Sequence, residues 1–372
     1  MKTKTINAVV AKKMNDWLNS IEDEDLRKLT RDNIIVTGGS LTSMLLNEPV
    51  NDFDIYLKTK ECVKRLSQYY VNKFNENNSG RTNKIGKPLK AWVLDGVDVD
   101  EWKRGIKKLS SFAYDYTDIE YNKYNQWTES DASKNPADYE TEEAKDLVKS
   151  YLRVSGMILN TPTDRIKIVI NSDGIAEDSD AVADANEYDI DAYLDALGDG
   201  DSVDSEVLTE SNDGKYKPVF LSTNAITLSN KIQIVIRFYG EPEVIHENYD
   251  FIHATNYWTF KTGAVLNQRA LESIINKELF YVGSKYPIAS LIRTRKFIKR
   301  GWQINAGQYV KMAFQISELD LKNIYTLEDQ LVGVDSIYFL NFVENLKKLQ
   351  LQDKNFVVTK DYVTSIIDKI FG

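Results

Sequence analysis

The sequence predicts an α+β protein with a mixed-sheet core, an acidic insertion that splits this core, and an all-helical C-terminal domain. Three observations predict this fold class. Short β-branched strands alternate with amphipathic helices up to about residue 262. A long acidic stretch interrupts that pattern, and from Arg269 onward the apolar periodicity is helical. A chain of 372 residues is long enough for about two domains.

The acidic stretch separates two regions of different charge. Between residues 173 and 213 there are 15 acidic residues and no Lys or Arg, so the rest of the chain carries a net charge of +6 against −9 for the whole. Such a composition predicts a flexible segment, while the mildly basic remainder is typical of proteins that bind triphosphates or RNA. The predicted parts are the first core segment 1–172, the insertion 173–214, the second core segment 215–262 and the helical domain 263–372.

Composition also limits the chemistry and the compartment. Cys62 is the single cysteine, which excludes a disulfide framework and a cysteine zinc site and fits a reducing cytosol. The N-terminus lacks the apolar core of a signal peptide, and no apolar run approaches the length of a membrane span. We therefore expect a soluble, cytoplasmic protein with no membrane partner, and the oligomeric state is left open.

The first elements lead to an acidic strand. Residues 8–29 have helical spacing, and Ile34–Val36 form a strand that runs into a Gly-Gly-Ser turn. A short apolar helix follows over Leu41–Leu46, and a second strand then carries Asp52 and Asp54. Because alternate side chains of a strand share a face, these two carboxylates lie together, opposite the apolar residues of the strand.

This pairing predicts a cation and phosphate site. Two neighbouring carboxylates repel each other unless a cation lies between them, and Mg²⁺ is often bound by one or two carboxylates together with substrate phosphates. Gly38 and Gly39 allow close approach of the backbone, and a helix N-terminus offers free N–H groups to phosphate. Ser40 adds a hydroxyl. We expect Mg²⁺ or Mn²⁺ as the cofactor.

The combination of Gly38-Gly39-Ser40 with Asp52-Phe53-Asp54 resembles the signature of the DNA polymerase β-like nucleotidyltransferase superfamily. Members include poly(A) polymerases, CCA-adding enzymes, cyclic-nucleotide synthases and protein-nucleotidylating toxins. The resemblance covers about twenty residues. It implies a nucleotidyltransferase core with a two-metal site, in which Asp52 and Asp54 are catalytic metal ligands and Gly38, Gly39 and Ser40 bind the nucleotide.

The rest of the chain supplies further elements. Residues 85–125 give no clear pattern, and 126–145 have the composition of a polar linker. The predicted strands are 165–171, 219–221, 226–228 and 232–238. The predicted helices are 61–74, 144–159, 243–248, 269–279, 287–300, 305–314, 336–350 and 360–371.

A two-metal site generally needs a third carboxylate. Gln233 occupies the strand position where members of the superfamily often carry an acid, which is a departure from the pattern. We choose Asp250, in a predicted short strand between two aromatic residues, as the third catalytic and metal-binding residue. The other reading is that Asp250 caps or turns the chain. Asp164, Asp98 and Asp100 are weaker candidates.

A basic helix follows in the segment 283–302. Its apolar stripe consists of Ile288, Leu291, Ile292, Ile298 and Trp302. Arg295 within that stripe and Lys299 at its edge, together with Lys285, are predicted to bind nucleotide phosphates, while Arg293, Lys296 and Arg300 form a separate face predicted to bind nucleic acid. The alternative is a solvated basic face with Arg295 in a salt bridge.

These features predict a nucleotidyltransferase. The hypothesis is that it moves a nucleotide from a nucleoside triphosphate such as ATP to an acceptor hydroxyl, first of all the 3′ end of an RNA without a template. The alternatives are nucleotidylation of a protein or synthesis of a cyclic or linear oligonucleotide. A further alternative is a catalytically inactive module for nucleic-acid binding or assembly. Gln233 and the acidic insertion together resemble viral and phage relatives.

Overall fold

The structure is a computed structural model that describes residues 1–82, 88–103, 162–170 and 216–321, and single residues beyond them. The helices are Thr3–Leu18 (α1), Glu24–Asn33 (α2), Gly39–Leu46 (α3), Lys60–Asn77 (α4), Gly96–Lys103 (α5), Pro242–His246 (α6), Gln268–Asn276 (α7), Pro287–Lys299 (α8) and Ala306–Ser317 (α9). The strands are Ile34–Thr37 (β1), Phe53–Leu57 (β2), Ala91–Asp95 (β3), Ile166–Ile170 (β4), Pro218–Leu221 (β5), Ala225–Leu228 (β6), Ile232–Tyr239 (β7), Tyr257–Thr259 (β8), Gly263–Val265 (β9), Glu278–Leu279 (β10) and Gln303–Ile304 (β11).

The N-terminal segment, for which the sequence predicted helical spacing over 8–29, consists of two helices. The chain leaves α1 after Leu18, and Asp23 then caps α2 by accepting a hydrogen bond from the Leu26 backbone N–H at 2.8 Å. A capping aspartate satisfies a free N–H group at the start of a new helix. The break between α1 and α2 therefore has a local cause in the sequence.

A mixed seven-stranded sheet is the centre of the fold. Its strand order is β5-β6-β7-β2-β1-β8-β9, with β2 and β7 parallel and the other neighbours antiparallel. Two small sheets accompany it, an antiparallel pair of β3 with β4 and a parallel pair of β10 with β11. The described residues thus confirm an α+β fold with a mixed sheet.

The two faces of this sheet have different neighbours. The apolar side chains of β1, β2 and β7 pack with those of α1 and α4 in one large core, which includes Val36, Ile55 and Ile234. On the opposite face, Ile35 and Tyr56 pack against Ile245 of α6 in a small cluster. Only one face of the sheet is therefore used for the main core.

Strands continue into the region predicted to be all-helical. β9 lies beyond residue 262 and extends the central sheet, and β10 pairs with β11 between helices. The prediction of an all-helical region from 263 onward is therefore wrong in its described part. A third apolar cluster, built around Phe251, Tyr281 and Trp302, joins this region to the α3 side of the sheet.

Several predictions lie outside the described residues. These are the acidic insertion 173–214, the linker 126–145 and the helices 144–159 and 336–350, together with nearly all of 360–371. The division into domains stays a prediction. Within the described part of the chain, no helix is both long and apolar enough to cross a membrane.

Candidate functional site

A row of polar side chains crosses the centre of the sheet. Thr37 of β1 pairs with Asp54 of β2, and Asp54 pairs in turn with Gln233 of β7. Asp54 alternates with Phe53 and Ile55, whose side chains lie in the main core, so Asp54 faces the opposite side. Asp52 is half-buried and precedes β2 by one residue. The predicted placement of Asp54 is therefore confirmed.

Gly38 brings the turn after β1 against Asp54. Its φ of 86° and ψ of −149° belong to a region that is essentially restricted to glycine. A Cβ atom at Gly38 would lie 2.6 Å from Asp54 Oδ2, which is closer than real Cβ contacts allow. The Gly38 N–H donates to the Ala254 carbonyl at 3.1 Å. The Asp54 carboxylate thus lies beside the residue that precedes α3.

The first residues of α3 provide polar groups next to this carboxylate. Gly39 is exposed, and a Cβ there would meet nothing within 4 Å. Ser40 is buried at 2% exposure, and its hydroxyl has no hydrogen-bond partner among the described residues. A buried hydroxyl without a partner carries a desolvation cost, and such an atom is a candidate for ligand contact.

The buried Tyr56 and the half-buried Tyr249 lie near Asp54. Burial, above all, raises the pKa of Tyr56 and of Tyr249, and the Asp54 charge adds to the effect on both. Asp250 also raises the pKa of Tyr56, while the Arg293 guanidinium lowers it. The Tyr56 hydroxyl therefore lies within electrostatic reach of both carboxylates and of one guanidinium.

Thr37, at one end of the polar row, forms hydrogen bonds with residues next to β8 and in α6. The Thr37 hydroxyl lies 2.9 Å from His246 Nε2 and 2.9 Å from the Asn256 carbonyl. Burial lowers the pKa of His246 to about 4, so its imidazole is neutral at pH 7. This contact joins β1 to α6, which covers part of the polar face.

Asp250 differs from its prediction. It does not lie in a short strand, because Phe251 forms only an isolated bridge with Tyr281 and the chain then enters a 3₁₀ turn over Ile252–Ala254. Asp250 is 8% exposed and forms an ion pair with Arg293. Among the described residues, no group of three or more His, Cys, Asp or Glu side chains could hold a metal ion. The catalytic and metal roles of Asp52, Asp54 and Asp250 stay predictions.

The orientation of α8 was predicted wrongly. The helix buries Ala289, Ser290 and Thr294, while Leu291 and Ile298 of the predicted apolar stripe are 40% and 46% exposed. Small side chains allow close approach of a helix to its neighbours, so the buried face here is the one with the small residues.

This rotation changes the positions of the basic residues. Arg293 was predicted to bind nucleic acid, and it faces Asp250 instead. Arg295 and Lys299 were predicted to reach nucleotide phosphates from the buried side, and both are exposed. Arg300 donates to Glu48 at 3.1 Å. Lys296 is exposed as predicted, and its nucleic-acid role stays a prediction.

Lys285 lies beside an aromatic ring of β7. Its Nζ is 5.6 Å from the centre of the Phe238 ring, and Arg237 lies 4.4 Å from that of Tyr286. These cations stack on aromatic rings near the end of β7. The predicted phosphate role of Lys285 stays a prediction.

The sequence reasoning missed Thr37, Tyr56 and Arg293 as neighbours of Asp54 and Asp250. Tyr56 could have been found, since it follows Asp54 by two residues on the same strand and so shares its face. Thr37 directly precedes the glycine pair. The Arg293–Asp250 pair has no local signal, because the two residues are far apart in the sequence.

Comparison with known proteins shows which family the chain belongs to. A model of the Gabija anti-defense 2 family, Gad2, matches residues 8–277, nearly three quarters of the chain. The chain belongs to the Gabija anti-defense 2 family. One relative, named Gabija anti-defense 2, comes from Bacillus phage SPbetaL7 and is 24% identical over 152 residues. That alignment covers 38% of this chain and 38% of the relative, so it spans much less than two thirds of the relative's length. No solved structure matches the chain.

This family match corrects the sequence-based assignment. Membership of the DNA polymerase β-like nucleotidyltransferase superfamily was predicted from about twenty residues and is wrong, because the family match over residues 8–277 is to Gad2. The predicted template-independent transfer of nucleotides to RNA, a poly(A) polymerase-like activity, is overturned by the same finding. The expected likeness to phage proteins agrees with the phage relative.

Proposed function

We propose that this protein counters the Gabija defence of bacteria. The observation that carries the proposal is the Gad2 family match over residues 8–277. That range contains all seven strands of the central sheet and the whole polar row around Asp54. A phage protein that carries the anti-defense name is one of the chain's relatives. The fold and the candidate site therefore both belong to the part of the chain that defines the family.

We further propose that the polar face of the sheet acts by binding a magnesium-bound nucleotide. Mg²⁺ keeps several waters and is commonly bound by one or two carboxylates plus substrate phosphates, so the Asp52 and Asp54 pair needs no third acid. The carboxylate of Asp54 lies against Gly38, at the start of α3. The ion would balance the carboxylates and accept phosphate oxygens as further ligands.

The first turn of α3 supports this choice of ligand. The N-terminus of a helix presents free backbone N–H groups and a positive dipole end to an anion. Gly39 is exposed and has free space around its Cα, while the Ser40 hydroxyl is buried without a partner. Phosphate oxygens would satisfy both kinds of donor. The proposal is one of binding, and it requires no group transfer.

The experiment that tests the anti-defence function is a plaque assay. Bacteria that carry the Gabija system and bacteria that lack it are infected with a Gabija-sensitive phage, with and without expression of this protein. We expect the protein to restore plaque formation on the Gabija host by about tenfold or more and to change nothing on the host without Gabija.

Asp52→Asn with Asp54→Asn tests the polar face in the same assay and should lose the protection, and its control is a variant that removes two carboxylate charges elsewhere. Asp25→Asn with Asp32→Asn removes two exposed carboxylates from α2, whose Leu26 packs in the main core on the other face of the sheet from Asp54. It should protect the phage as well as the natural protein does. Equal plaque numbers with and without the natural protein, at confirmed expression, would overturn the proposal.

A further inference from the structure

A pocket opens beside α3, next to the site around Asp54. It has a volume of about 80 Å³ and lies between α3, the 3₁₀ turn and the C-terminal end of α8. Gly39 and Ser43 line it from α3, and Phe297 and Trp302 line it from the other side. Gly39 adjoins Gly38, the residue that contacts Asp54, so the pocket begins one residue from the proposed phosphate site.

Aromatic rings form the walls of this pocket. The His253 ring lies 4.5 Å from the Trp302 ring and 4.7 Å from the Phe297 ring, measured between centroids. Flat π faces and edges favour a planar aromatic ligand, which can stack or meet them edge to face. The rim is polar, since Glu48 accepts from Arg300 at 3.1 Å beside the opening.

A buried polar atom without a partner lies among these rings. His253 is 2% exposed, and no group in the part of the chain that the structure describes forms a hydrogen bond with its Nδ1. Burial lowers the pKa of His253 to about 4, so at pH 7 the ring is neutral and offers one donor and one acceptor. Ser43 adds a nearly buried hydroxyl to the lining. Donors and acceptors of this kind complement the polar edge of a heteroaromatic ring.

The size of the pocket limits the ligand to one ring. One water molecule occupies roughly 10–15 Å³ of a cavity measured in this way. The pocket volume of about 80 Å³ therefore holds about six water-sized atoms. This is the size of a single six-membered ring. A larger rigid group would have to displace α3 or α8, whose packed side chains resist movement.

We propose that this pocket binds the base of the nucleotide whose phosphates lie at Gly38, Ser40 and Asp54. This inference rests on the proposed nucleotide binding. It adds a site for the base, which is the group that distinguishes a nucleotide from a bare polyphosphate. The ring lies in the pocket against Phe297 and Trp302, which contact each other edge to face at 5.9 Å between centroids, and its polar edge meets His253 and Ser43. The phosphates extend from Gly39 toward the carboxylates.

The test is titration calorimetry of the full chain with each of the four magnesium nucleoside triphosphates and with magnesium tripolyphosphate. We expect at least one of the two pyrimidine nucleotides, whose base is a single six-membered ring, to bind about tenfold or more tightly than tripolyphosphate, a difference that the base supplies. His253→Phe keeps an aromatic ring but removes its nitrogens, and Ser43→Leu fills the pocket. Both should reduce the preference to about twofold or less and leave the tripolyphosphate affinity unchanged.

Two controls keep the test interpretable. Ser317→Leu makes the same substitution at the exposed end of α9, outside the pocket, and should keep the full preference. His253→Phe removes a buried atom that has no partner, so the unfolding temperature should not fall.

The outcomes separate the two proposals. Tripolyphosphate and nucleotides bound with equal affinity would overturn the base pocket and leave the phosphate site in place. A nucleotide preference that survives both pocket variants would place the base elsewhere and would also overturn the inference. No binding of any of these ligands would overturn the nucleotide proposal together with the pocket.

Discussion

The two faces of the central sheet use the same strands for different purposes. On β2, Phe53 and Ile55 enter the main core, while Asp54 and Tyr56 face the other side. On β7, Ile234 is fully buried and its neighbour Gln233 is half-exposed beside Asp54. Because side chains alternate along a strand, neighbouring residues contribute separately to folding and to the site.

The difference separates the residues that stabilise the fold from those that we propose bind a ligand. The core face excludes water and removes a large apolar area, so its contribution is to the free energy of folding. The polar face keeps groups that would be costly in a core, among them Asp54 and the unpartnered Ser40 hydroxyl. We expect substitutions on the two faces to separate cleanly into effects on stability and effects on binding.

The largest effect on stability should come from the core face. Ile234→Ala removes a side chain with 0% exposure from the centre of the sheet and should lower the free energy of unfolding by about 2–4 kcal/mol. Gln233→Ala, the adjacent position on the other face, should cost less than about 1 kcal/mol. Urea unfolding followed by circular dichroism measures both. Equal losses for the two variants would contradict the assignment of the faces.

A neighbouring pair of glycines provides the second comparison. Gly38→Ala forces a side chain into a glycine-only conformation and places Cβ 2.6 Å from Asp54 Oδ2, so we expect a loss of about 2 kcal/mol. It should also abolish the binding of magnesium nucleotide. Gly39→Ala meets nothing within 4 Å and lies in a helix, so it should be neutral or slightly stabilising.

The glycine comparison has a clear contrary result. If Gly38→Ala unfolds at the same urea concentration as the natural protein and binds nucleotide equally well, the close approach of the turn to Asp54 is not important. If Gly39→Ala is as damaging as Gly38→Ala, the helix start itself, and not the contact with Asp54, is the sensitive feature.

A smaller effect should come from pH through His253. Its pKa is lowered to about 4 in the folded chain from 6.5 when unfolded, so the unfolded chain binds more protons between these values. The neutral His253 ring makes its full contribution to the free energy of unfolding above pH 6.5. This contribution decreases as the pH is lowered toward 4. At pH 5.5 the loss should be on the order of 1 kcal/mol relative to pH 7.5.

A variant without the imidazole is the control for the pH dependence assigned to His253. Asp250 favours the charged ring and Arg300 disfavours it, while burial is the dominant cause of the lowered pKa. His253→Phe should therefore lose less stability than the natural protein between pH 7.5 and 5.5, measured by urea unfolding at both values. An identical pH dependence in both proteins would show that His253 does not titrate in this way.

Local patterns predicted the elements around the site well. The period of two in β2, the glycine turn and the short helix α3 all follow from neighbouring residues, and the structure places Asp54 beside Gly38 as expected. The strands of β4 to β7 also lie close to their predicted bounds. These features depend on backbone geometry and side-chain alternation, which a sequence shows directly.

Long-range contacts and the family could not be predicted in the same way. The apolar stripe of α8 pointed to the wrong face because the helix packs through Ala289, Ser290 and Thr294, whose small size carries no hydrophobic signal. The Arg293–Asp250 ion pair joins distant segments. The short glycine and aspartate motif indicated a different superfamily, whereas the match over residues 8–277 is to Gad2. A motif of about twenty residues describes local chemistry and does not decide what the whole chain does.

The most direct test of the account compares the two carboxylates of the polar face with two carboxylates elsewhere in one assay. Asp52→Asn with Asp54→Asn is introduced beside Asp25→Asn with Asp32→Asn, and each protein is checked for its unfolding temperature and then for plaque formation on a Gabija host. The account predicts that both variants fold as stably as the natural protein and that only the first loses the protection of the phage. Full protection by the Asp52 and Asp54 variant would contradict the claim that this face counters the defence.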